Sequence, residues 1–358
     1  MSRSGQPVHP WDPEVVIDAA FAHELLEHAF PSRFARAGVL PFGAGWDNEA
    51  FLANDGPGGS GGVEWVVRFP RRELGGVLME HELAVLPGLA AHFERRATST
   101  AGGLALPVPE LVHTASKGAP REYPWSFGAY RLLTGSTACR ADLPPPAERV
   151  GAARLGAFLA ALHSSPVALS ALAPPEPAGR ANRLARWQAM ERRMTELTPS
   201  TMAFVAAGAP RMGGFEALTP EAFLARAAEL AQAPNCTSGH LVHGDLYGRH
   251  VLVDPASGAP TGMIDWGDVH VGDAAGDLAL GWTFFAGAAR ARFLEAYCAT
   301  ARTEQGAPDP IASDPHLIDR ARFRAMDYAV LLLVFGQARA EPALLGLGRD
   351  AWWGCQVE

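Results

Sequence analysis

The sequence HGDLYGRH, residues 243–250, decides the fold of this chain together with IDWG, residues 264–267. Two short apolar runs, residues 251–254 and 261–264, lie between these motifs on either side of a Pro-Ala-Ser-Gly turn. Apolar and β-branched runs around such a turn predict a pair of strands. The two motifs therefore flank a predicted hairpin, and each of them carries an aspartate.

The two aspartates, Asp245 and Asp265, are typical of a phosphoryl-transfer site. Asp245 is positioned to orient an attacking hydroxyl and accept its proton late, with a turn carboxylate that caps backbone N–H groups as the alternative. Asp265 could bind Mg²⁺ that bridges nucleotide phosphates. An imidazole nitrogen is a poorer Mg²⁺ ligand than an amide oxygen. His250 could therefore bind the metal directly, bind it through water, hydrogen-bond Asp265, or pack against the hairpin.

Taken together, the two motifs resemble the catalytic core of the aminoglycoside phosphotransferase family, the small-molecule relatives of protein kinases. The family pattern is H-G-D-x-x-x-x-N, then an apolar strand, then I-D-W or I-D-F. This chain departs from the pattern at His250, where most members carry Asn and where the macrolide kinases, a branch of the family, also carry His. The resemblance is specific over residues 241–279, moderate over residues 40–89 and thin elsewhere.

The resemblance implies an α+β, protein-kinase-like fold of two lobes. Residues 1–134 would form a small antiparallel-sheet lobe that binds the nucleotide. Residues 135–358 would form a larger, mostly helical lobe with the catalytic loop and the acceptor site. A length of 358 residues suits two lobes with a cleft between them. By the same resemblance His243 fixes the backbone that presents Asp245, and Asp277 braces that loop from a helix start, with an ordinary N-cap as the alternative.

On the nucleotide side, Gly43 and Gly45 lie where the family's phosphate-covering loop falls, between two predicted strands. Their backbone N–H groups would contact phosphate, and a tight hairpin is the alternative. The phosphate-anchoring lysine of the family is absent, because Lys117 is the only lysine of the chain and lies in a predicted turn. Arg68 occupies the matching strand position and could fork onto phosphate oxygens.

The helix partner of Arg68 is expected to be Glu82, with Glu80 as the competitor. A surface Arg–Glu pair is the alternative interpretation. Backbone groups around Tyr130 and Leu132 would meet the edge of the purine. Aromatic residues of the second lobe follow helical spacing and are predicted to be mostly core, with one or two of them available to an acceptor pocket: Trp282, Phe284, Phe285, Phe293, Tyr297 and Tyr328.

Composition and charge exclude some classes of function. Hydrophobic residues make up 48% of the chain and charged residues 19%, which is typical of a globular protein. A net charge of −8 argues against nucleic-acid binding, and the field would favour a cationic acceptor. Four widely spaced cysteines without C-x-x-C favour reduced thiols and a cytoplasmic location. The most apolar run, residues 329–335, is far too short to span a membrane, and residues 1–10 lack an apolar signal core.

Periodicity predicts the elements of both lobes. In the first lobe we expect helices at residues 13–30 and 78–92 and strands at residues 38–41, 48–53, 64–69, 111–115 and 127–133. In the second lobe we expect, besides the hairpin, helices at residues 148–164, 182–197, 220–232, 288–300 and 315–340.

These observations predict a kinase-like phosphotransferase that uses ATP or GTP with Mg²⁺ and a hydroxyl acceptor on a small molecule. By resemblance the acceptor is an aminoglycoside or macrolide antibiotic, or a metabolic alcohol such as a choline-like or sugar compound; His250 leans toward macrolides. The missing strand lysine and the missing Asn also permit a catalytically weak nucleotide-binding module. A protein kinase is disfavoured, because little sequence separates Asp265 from Asp277 for a regulated activation segment. No pattern indicates an oligomeric state or a membrane partner.

Overall fold

The computed structural model describes residues 12–56, 62–96, 103–208, 218–236, 239–301 and 313–356. Residues 1–10, for which the sequence predicts no signal core, lie outside the described part. The chain divides into two compact units, Met1–Pro87 with Pro107–Leu133 and Gly88–Leu106 with Thr134–Glu358. The predicted nucleotide-contacting residues belong to the first unit, and both predicted catalytic motifs belong to the second.

The first unit is built on an antiparallel sheet. Its elements are α1 (Ala19–Ala29), α2 (Pro31–Phe34), β1 (Gly38–Ala44), β2 (Asn48–Asn54), β3 (Glu64–Pro70), α3 (Glu73–Arg96), β4 (Pro109–His113) and β5 (Phe127–Arg131). Helix α3 continues into the second unit. The five strands lie in the order β1-β2-β3-β5-β4, and every neighbouring pair is antiparallel. Strand β3 is therefore central.

Alternation along β3 separates the core from the charged face of the sheet. Trp65, Val67 and Phe69 are buried, and they belong to one core cluster with Phe51 and Phe127 of the neighbouring strands. Successive side chains of a strand point to opposite faces. The guanidinium of Arg68, the residue after Val67, therefore lies on the face of the sheet opposite this core.

The second unit is mostly helical. Its elements are β6 (Ser136–Thr137), α4 (Ala152–His163), α5 (Val167–Ser170), α6 (Ala178–Ala181), α7 (Arg183–Met194), α8 (Pro199–Ala206), α9 (Pro220–Ala231), β7 (His240–Val242), β8 (Val251–Val253), β9 (Pro260–Met263), β10 (His270–Gly272), α10 (Ala275–Leu278), α11 (Leu280–Thr283), α12 (Gly287–Thr300), α13 (Leu317–Ala338) and α14 (Pro342–Gly354). Helix α4 packs on α12, and α13 packs on α14. Strands β8 and β9 form the predicted hairpin, and β7 pairs with β10.

The predicted elements are present, with shifted ends. The first helix begins at Ala19 rather than at residue 13, because the Asp18 carboxylate accepts a hydrogen bond from the Phe21 N–H at 2.8 Å and caps the helix there. Helix α14 was not predicted, since glycines lower its intrinsic helix propensity. Packing explains it: a Cβ on Gly348 would lie 2.9 Å from the backbone nitrogen of Leu333, so glycine lets α14 approach α13 closely.

Helix α3 is the one described helix that is long and apolar enough to cross a membrane, by length and composition only. Its most apolar 18-residue window, within Glu73–Arg95, has a mean hydropathy of 1.2, and the core helix of a folded domain passes the same test. Glu82 lies near its middle and is fully buried against the sheet residue Arg68. We therefore describe α3 as a core helix.

Candidate active site

The β8–β9 hairpin brings His250 and Asp265 together. Val251 pairs with Met263 in the antiparallel ladder, and the Ile264 N–H donates to the His250 carbonyl oxygen at 3.0 Å. The ladder thereby holds His250 beside the residue that precedes Asp265. Nε2 of His250 lies 3.4 Å from Oδ2 of Asp265. Two side chains from different motifs thus converge because the strands between them pair.

A left-handed turn at Gly244 presents Asp245. Gly244 has φ +86°, and a Cβ there would lie 2.2 Å from the Asp268 carbonyl oxygen, so the position requires glycine. Asp265 also has a positive φ, +66°, which is uncommon for a residue with a side chain and is tolerated best by Asn and Asp. Backbone strain of this kind concentrates at functional sites.

Asp277, at the start of α10, braces the loop that carries Asp245. Its Oδ2 accepts hydrogen bonds from the His243 N–H at 2.7 Å and from Nε2 of His163 at 3.2 Å, and its Oδ1 accepts from the Gly244 N–H at 3.0 Å. Burial by itself would raise the pKa of Asp277, but the hydrogen bonds that it accepts from His163 and from the His243 N–H lower the pKa on balance. The buried carboxyl is therefore ionised at neutral pH.

The His243 ring forms hydrogen bonds to backbone groups of both motifs. Its Nε2 lies 3.0 Å from the carbonyl oxygen of Ile264, which can only accept, so Nε2 carries the proton. Nδ1 then accepts a hydrogen bond from the Asp245 N–H at 3.4 Å. Burial lowers the pKa of His243, so the ring is neutral and serves as a spacer between the Asp245 loop and the end of β9.

Tyr328, from α13, contacts the candidate base directly. Its hydroxyl donates to Oδ1 of Asp245 at 2.8 Å across 83 residues of sequence. Helical spacing had predicted Tyr328 to be core, and it is buried, but its polar end belongs to the site. His163 was not predicted at all, although a histidine at the end of an Ala/Leu-rich helix is a recognisable signal. It bridges Asp277 and the Tyr297 hydroxyl, which lies 2.9 Å from Nδ1.

In the first unit, Arg68 and Glu82 form a close ion pair. Nη1 of Arg68 lies 2.5 Å from Oε2 of Glu82, and the Tyr130 hydroxyl donates to the other oxygen, Oε1, at 2.6 Å. Glu80 instead accepts a hydrogen bond from the Ser126 hydroxyl at 2.5 Å. Glu82 is therefore the partner of Arg68, and the competitor is engaged elsewhere.

A hydrogen bond and an ion pair hold the glycine turn between β1 and β2. The Gly45 N–H donates to the Asn48 carbonyl oxygen at 2.8 Å, and Arg72 holds the Asp47 carboxylate at 2.6 Å. A Cβ on Gly43 would meet no described atom within 4 Å, so nothing in the described part of the chain fills the space beside it. Gly45 lies in the turn as predicted, whereas Gly43 belongs to β1, where it pairs with Ala50 and has open space beside it.

The predicted purine contacts lie at the end of β5. Tyr130 pairs with Val66 of β3 inside the sheet, and its side chain faces Glu82. The Leu132 N–H donates to the Glu64 carbonyl oxygen at 3.1 Å. Both residues are thus held by the sheet, and contact of their backbone groups with a purine stays a prediction.

The sequence and this geometry agree with one family. The model of the phosphotransferase enzyme family, APH, matches residues 38–312. The chain belongs to this phosphotransferase family. The predicted α+β, protein-kinase-like fold is thereby confirmed, with its antiparallel sheet in the first unit and its helices mainly in the second.

Solved structures support the phosphotransferase fold. One is the GDP and kanamycin complex of APH(2")-IIia, with 19% identity, a TM-score of 0.57, and coverage of 93% of this chain and 97% of that one. Another is the macrolide 2'-phosphotransferase MphH from Brachybacterium faecium, with 22% identity, a TM-score of 0.53, and coverage of 93% and 97%. The uncharacterized protein YcbJ of Bacillus subtilis is 44% identical over 57 residues, which are 16% of this chain and 18% of that protein.

For a phosphotransferase, the side chains of each unit offer a distinct chemistry. The second unit holds one hydrogen-bonded carboxylate, Asp245, near an imidazole–carboxylate pair of metal-ligating type, His250 and Asp265. The first unit holds a partly buried cation, Arg68, which forms an ion pair with the buried Glu82. These are the groups from which a mechanism can be built.

Proposed function

We propose that this phosphotransferase transfers the γ-phosphoryl group of ATP or GTP to a hydroxyl group of a small molecule. The observation that carries the proposal is the geometry around Asp245. Tyr328 holds one carboxylate oxygen at 2.8 Å, and Nδ1 of His250 lies 3.8 Å from the other. A carboxylate fixed in this way, in a loop braced by Asp277, can orient a hydroxyl for attack.

Asp245 is the residue that acts on the acceptor. The acceptor oxygen forms a new bond to the γ-phosphorus, the bond from that phosphorus to the bridging oxygen breaks, and the nucleoside diphosphate leaves with the electron pair. The hydroxyl proton passes late to Asp245. Because Tyr328 already donates to Oδ1, we assign the proton to Oδ2. Positioning supplies most of the catalysis in such a transfer.

His250 and Asp265 fit a divalent cation. Nδ1 of His250 lies 2.7 Å from the Asp245 carbonyl oxygen, which can only accept, so Nδ1 donates this hydrogen bond. Nε2 then faces Oδ2 of Asp265 at 3.4 Å, and a proton or a cation between these two atoms would satisfy both. Mg²⁺ suits a site of one or two protein ligands completed by phosphates and water. Bound there, it would neutralise phosphate charge, with His250 a ligand directly or through water.

Arg68 is the proposed phosphate anchor. Glu82 forms an ion pair with its guanidinium, and a guanidinium matches phosphate oxygens in geometry and charge. The backbone N–H groups at Gly43 and Gly45 would cover the phosphates, and backbone groups around Tyr130 and Leu132 would meet the purine.

The acceptor is proposed from the relatives and from the residues. Structures of the same fold are described with kanamycin and as a macrolide 2'-phosphotransferase, which supports an antibiotic acceptor and a role in antibiotic resistance. A metabolic alcohol, such as a choline-like or sugar compound, is the second candidate, because identities of 19% and 22% carry the fold and not the substrate. A cytoplasmic location stays a prediction.

One assay tests the reaction. The protein is incubated with ATP and with GTP against macrolides, aminoglycosides and small alcohols, and a mass gain of one phosphate is measured. We expect Asp245→Asn to keep nucleotide binding and to lose roughly two to four orders of magnitude in turnover. Asp142→Asn, at an exposed aspartate outside the motifs, is the matched control and should react as the wild type does.

Two outcomes would contradict the proposal. Equal turnover in the wild type and in Asp245→Asn would remove Asp245 as the base. Nucleotide binding without transfer to any compound, and without hydrolysis, would instead favour the catalytically weak nucleotide-binding module.

A further inference from the structure

Arg324 and Tyr328 lie about one turn apart on α13. Residues four positions apart on a helix are neighbours on its surface. The Arg324 guanidinium accordingly lies over the Tyr328 ring, with its central carbon 4.4 Å from the ring centroid. A cation within about 6 Å of an aromatic centroid is attracted to the face of the ring. The phenol that donates to Asp245 is therefore itself in contact with a charged side chain.

The contacts on the Tyr328 ring determine where its hydroxyl lies. Tyr328 is buried, and the Tyr247 ring stacks on it with 5.8 Å between the centroids and 29° between the planes. The phenol oxygen lies in the plane of its ring, so groups that fix this plane also fix the oxygen. That oxygen donates to Oδ1 of Asp245 at 2.8 Å. The orientation of the proposed base thus depends on what packs against Tyr328.

The buried carboxylate of Asp327 holds the Arg324 guanidinium. Nη1 of Arg324 donates to Oδ2 of Asp327 at 2.8 Å, and Asp327 has 1% of its surface exposed. Two arginines of α7 donate to the same carboxylate, Arg186 at 2.7 Å and Arg193 at 3.2 Å. Arginine has a long side chain with many rotamers, and an ion pair with a buried acid selects one of them. Asp327 thereby keeps the Arg324 charge over the Tyr328 ring.

We propose that Arg324 is a positioning residue for the phosphoryl transfer, and that it acts on Asp245 through Tyr328. Its guanidinium fixes the plane of the phenol ring. Its charge also favours negative charge on the phenol oxygen, which makes the O–H a stronger donor to the carboxylate. Oδ1 of Asp245 then stays in its hydrogen bond, and Oδ2 stays the oxygen that receives the acceptor proton. The proposal rests on the proposed function, because it assigns a further residue to the same site.

An ion pair that only joins α7 to α13 is the alternative role for Arg324. Loss of Arg324 would then lower stability, as loss of another partner of Asp327 would, and turnover of the folded protein would not change. A positioning role predicts the opposite for turnover, because phosphoryl transfer depends mainly on how the reacting groups are placed. The two roles therefore differ in kcat and in whether the effect needs the Tyr328 hydroxyl.

A double-mutant cycle on kcat tests the proposal. Release of ADP or GDP by the full chain is measured with water and with each macrolide, aminoglycoside and small alcohol as acceptor. Arg324→Gln keeps an N–H donor for Asp327 and removes the charge. We expect it to lower kcat about threefold to thirtyfold at unchanged nucleotide KM, the rate equivalent of a cation–π contact. In Tyr328→Phe the same substitution should change kcat by less than about twofold, because the hydroxyl on which Arg324 acts is already absent.

Three further variants separate the charge from the ion pair. Arg324→Lys keeps a cation near the ring and should recover most of the lost kcat. Arg193→Gln is the matched control, because Arg193 donates to the other oxygen of the same carboxylate, and its kcat should stay within about twofold of the wild type. Arg324→Met passes through the same cycle, so the result does not depend on the folding of one variant. Thermal unfolding of each variant separates loss of folded protein from loss of turnover.

An unchanged kcat in folded Arg324→Gln and Arg324→Met would overturn the proposal. So would an equal loss of kcat in the wild-type and Tyr328→Phe backgrounds, or a loss in Arg193→Gln as large as that in Arg324→Gln. The proposed function fails by a different result, which is turnover that does not depend on Asp245 or no turnover with any acceptor. Turnover that depends on Asp245 but not on Arg324 would refute the positioning role alone.

Discussion

Replacement of Asp277 by asparagine tests how the Asp245 loop is held. The carboxylate accepts two hydrogen bonds at Oδ2, from the His243 N–H and from His163, and one at Oδ1, from the Gly244 N–H. Asparagine keeps one acceptor oxygen, which fits best at the Oδ2 position. Its NH₂ group then faces the Gly244 N–H, so one buried donor loses its acceptor. We expect a loss of about 2–3 kcal/mol in the free energy of unfolding.

Alanine at the same position removes all three hydrogen bonds and leaves two backbone N–H groups without an acceptor. The expected loss is roughly 4–5 kcal/mol, near the upper end for a single substitution. Turnover should fall in both variants, because Gly244 and Asp245 are consecutive and a displaced loop displaces the base. Nucleotide affinity should fall less than turnover, since Arg68 and the glycine turn lie in the first unit and only the proposed metal site lies in the second.

Thermal unfolding and single-turnover kinetics check this prediction together. Asp277→Asn should lower Tm by about 4–10 °C, with a larger drop for Asp277→Ala. Asp142→Asn, at an exposed site, is the control for loss of one negative charge and should leave Tm nearly unchanged. An Asp277→Asn protein with the Tm and turnover of the wild type would refute the brace.

Three further predictions concern the other contacts. Arg68→Ala should weaken ATP and GTP binding by roughly tenfold or more, because it removes a phosphate contact. It should also lower Tm, because the buried Glu82 loses its cation. An unchanged nucleotide titration would show that another residue anchors the phosphates. Tyr328→Phe should reduce kcat by about 10–100-fold at unchanged nucleotide KM, and a kcat within twofold of the wild type would deny its role in holding Asp245. Burial lowers the pKa of His243, so the unfolded chain binds a proton at this imidazole more readily than the folded chain, and the free energy of unfolding should fall as the pH drops below about 6.5. Between pH 7.5 and 5.5, the Tm of His243→Asn should fall less steeply than that of the wild type. Parallel Tm curves would contradict a neutral, buried His243.

Much of the second unit's site could be predicted from local sequence. His250 and Asp265 converge because a short hairpin joins them, and hairpin pairing depends on residues that are close in the chain. Gly244 could be read in the same way, since a sharp turn before an acid needs glycine. The predicted support from Asp277 came from the family pattern rather than from spacing, and its hydrogen bonds are visible only in the fold.

Other contacts could not be predicted, because they depend on how helices rotate and pack. Glu80 and Glu82 lie on the same helix, and only its rotation against the sheet decides that Glu82 meets Arg68. Tyr328 reaches Asp245 from a helix far along the chain, and a buried tyrosine at helical spacing looks like core until its hydroxyl finds a partner.

The sequence by itself determined the family and the fold class and singled out two candidate acids, Asp245 and Asp265, because these rest on short motifs and on the periodicity of strands and helices. Tertiary structure decided which charges stand together. The net charge of −8 is a sum over the whole chain and contains no information on where the charges lie. Packing of α7 against α13 brings arginines together around one buried aspartate. Coulomb forces act most strongly at short range, so the net charge does not say which charges a bound molecule would meet.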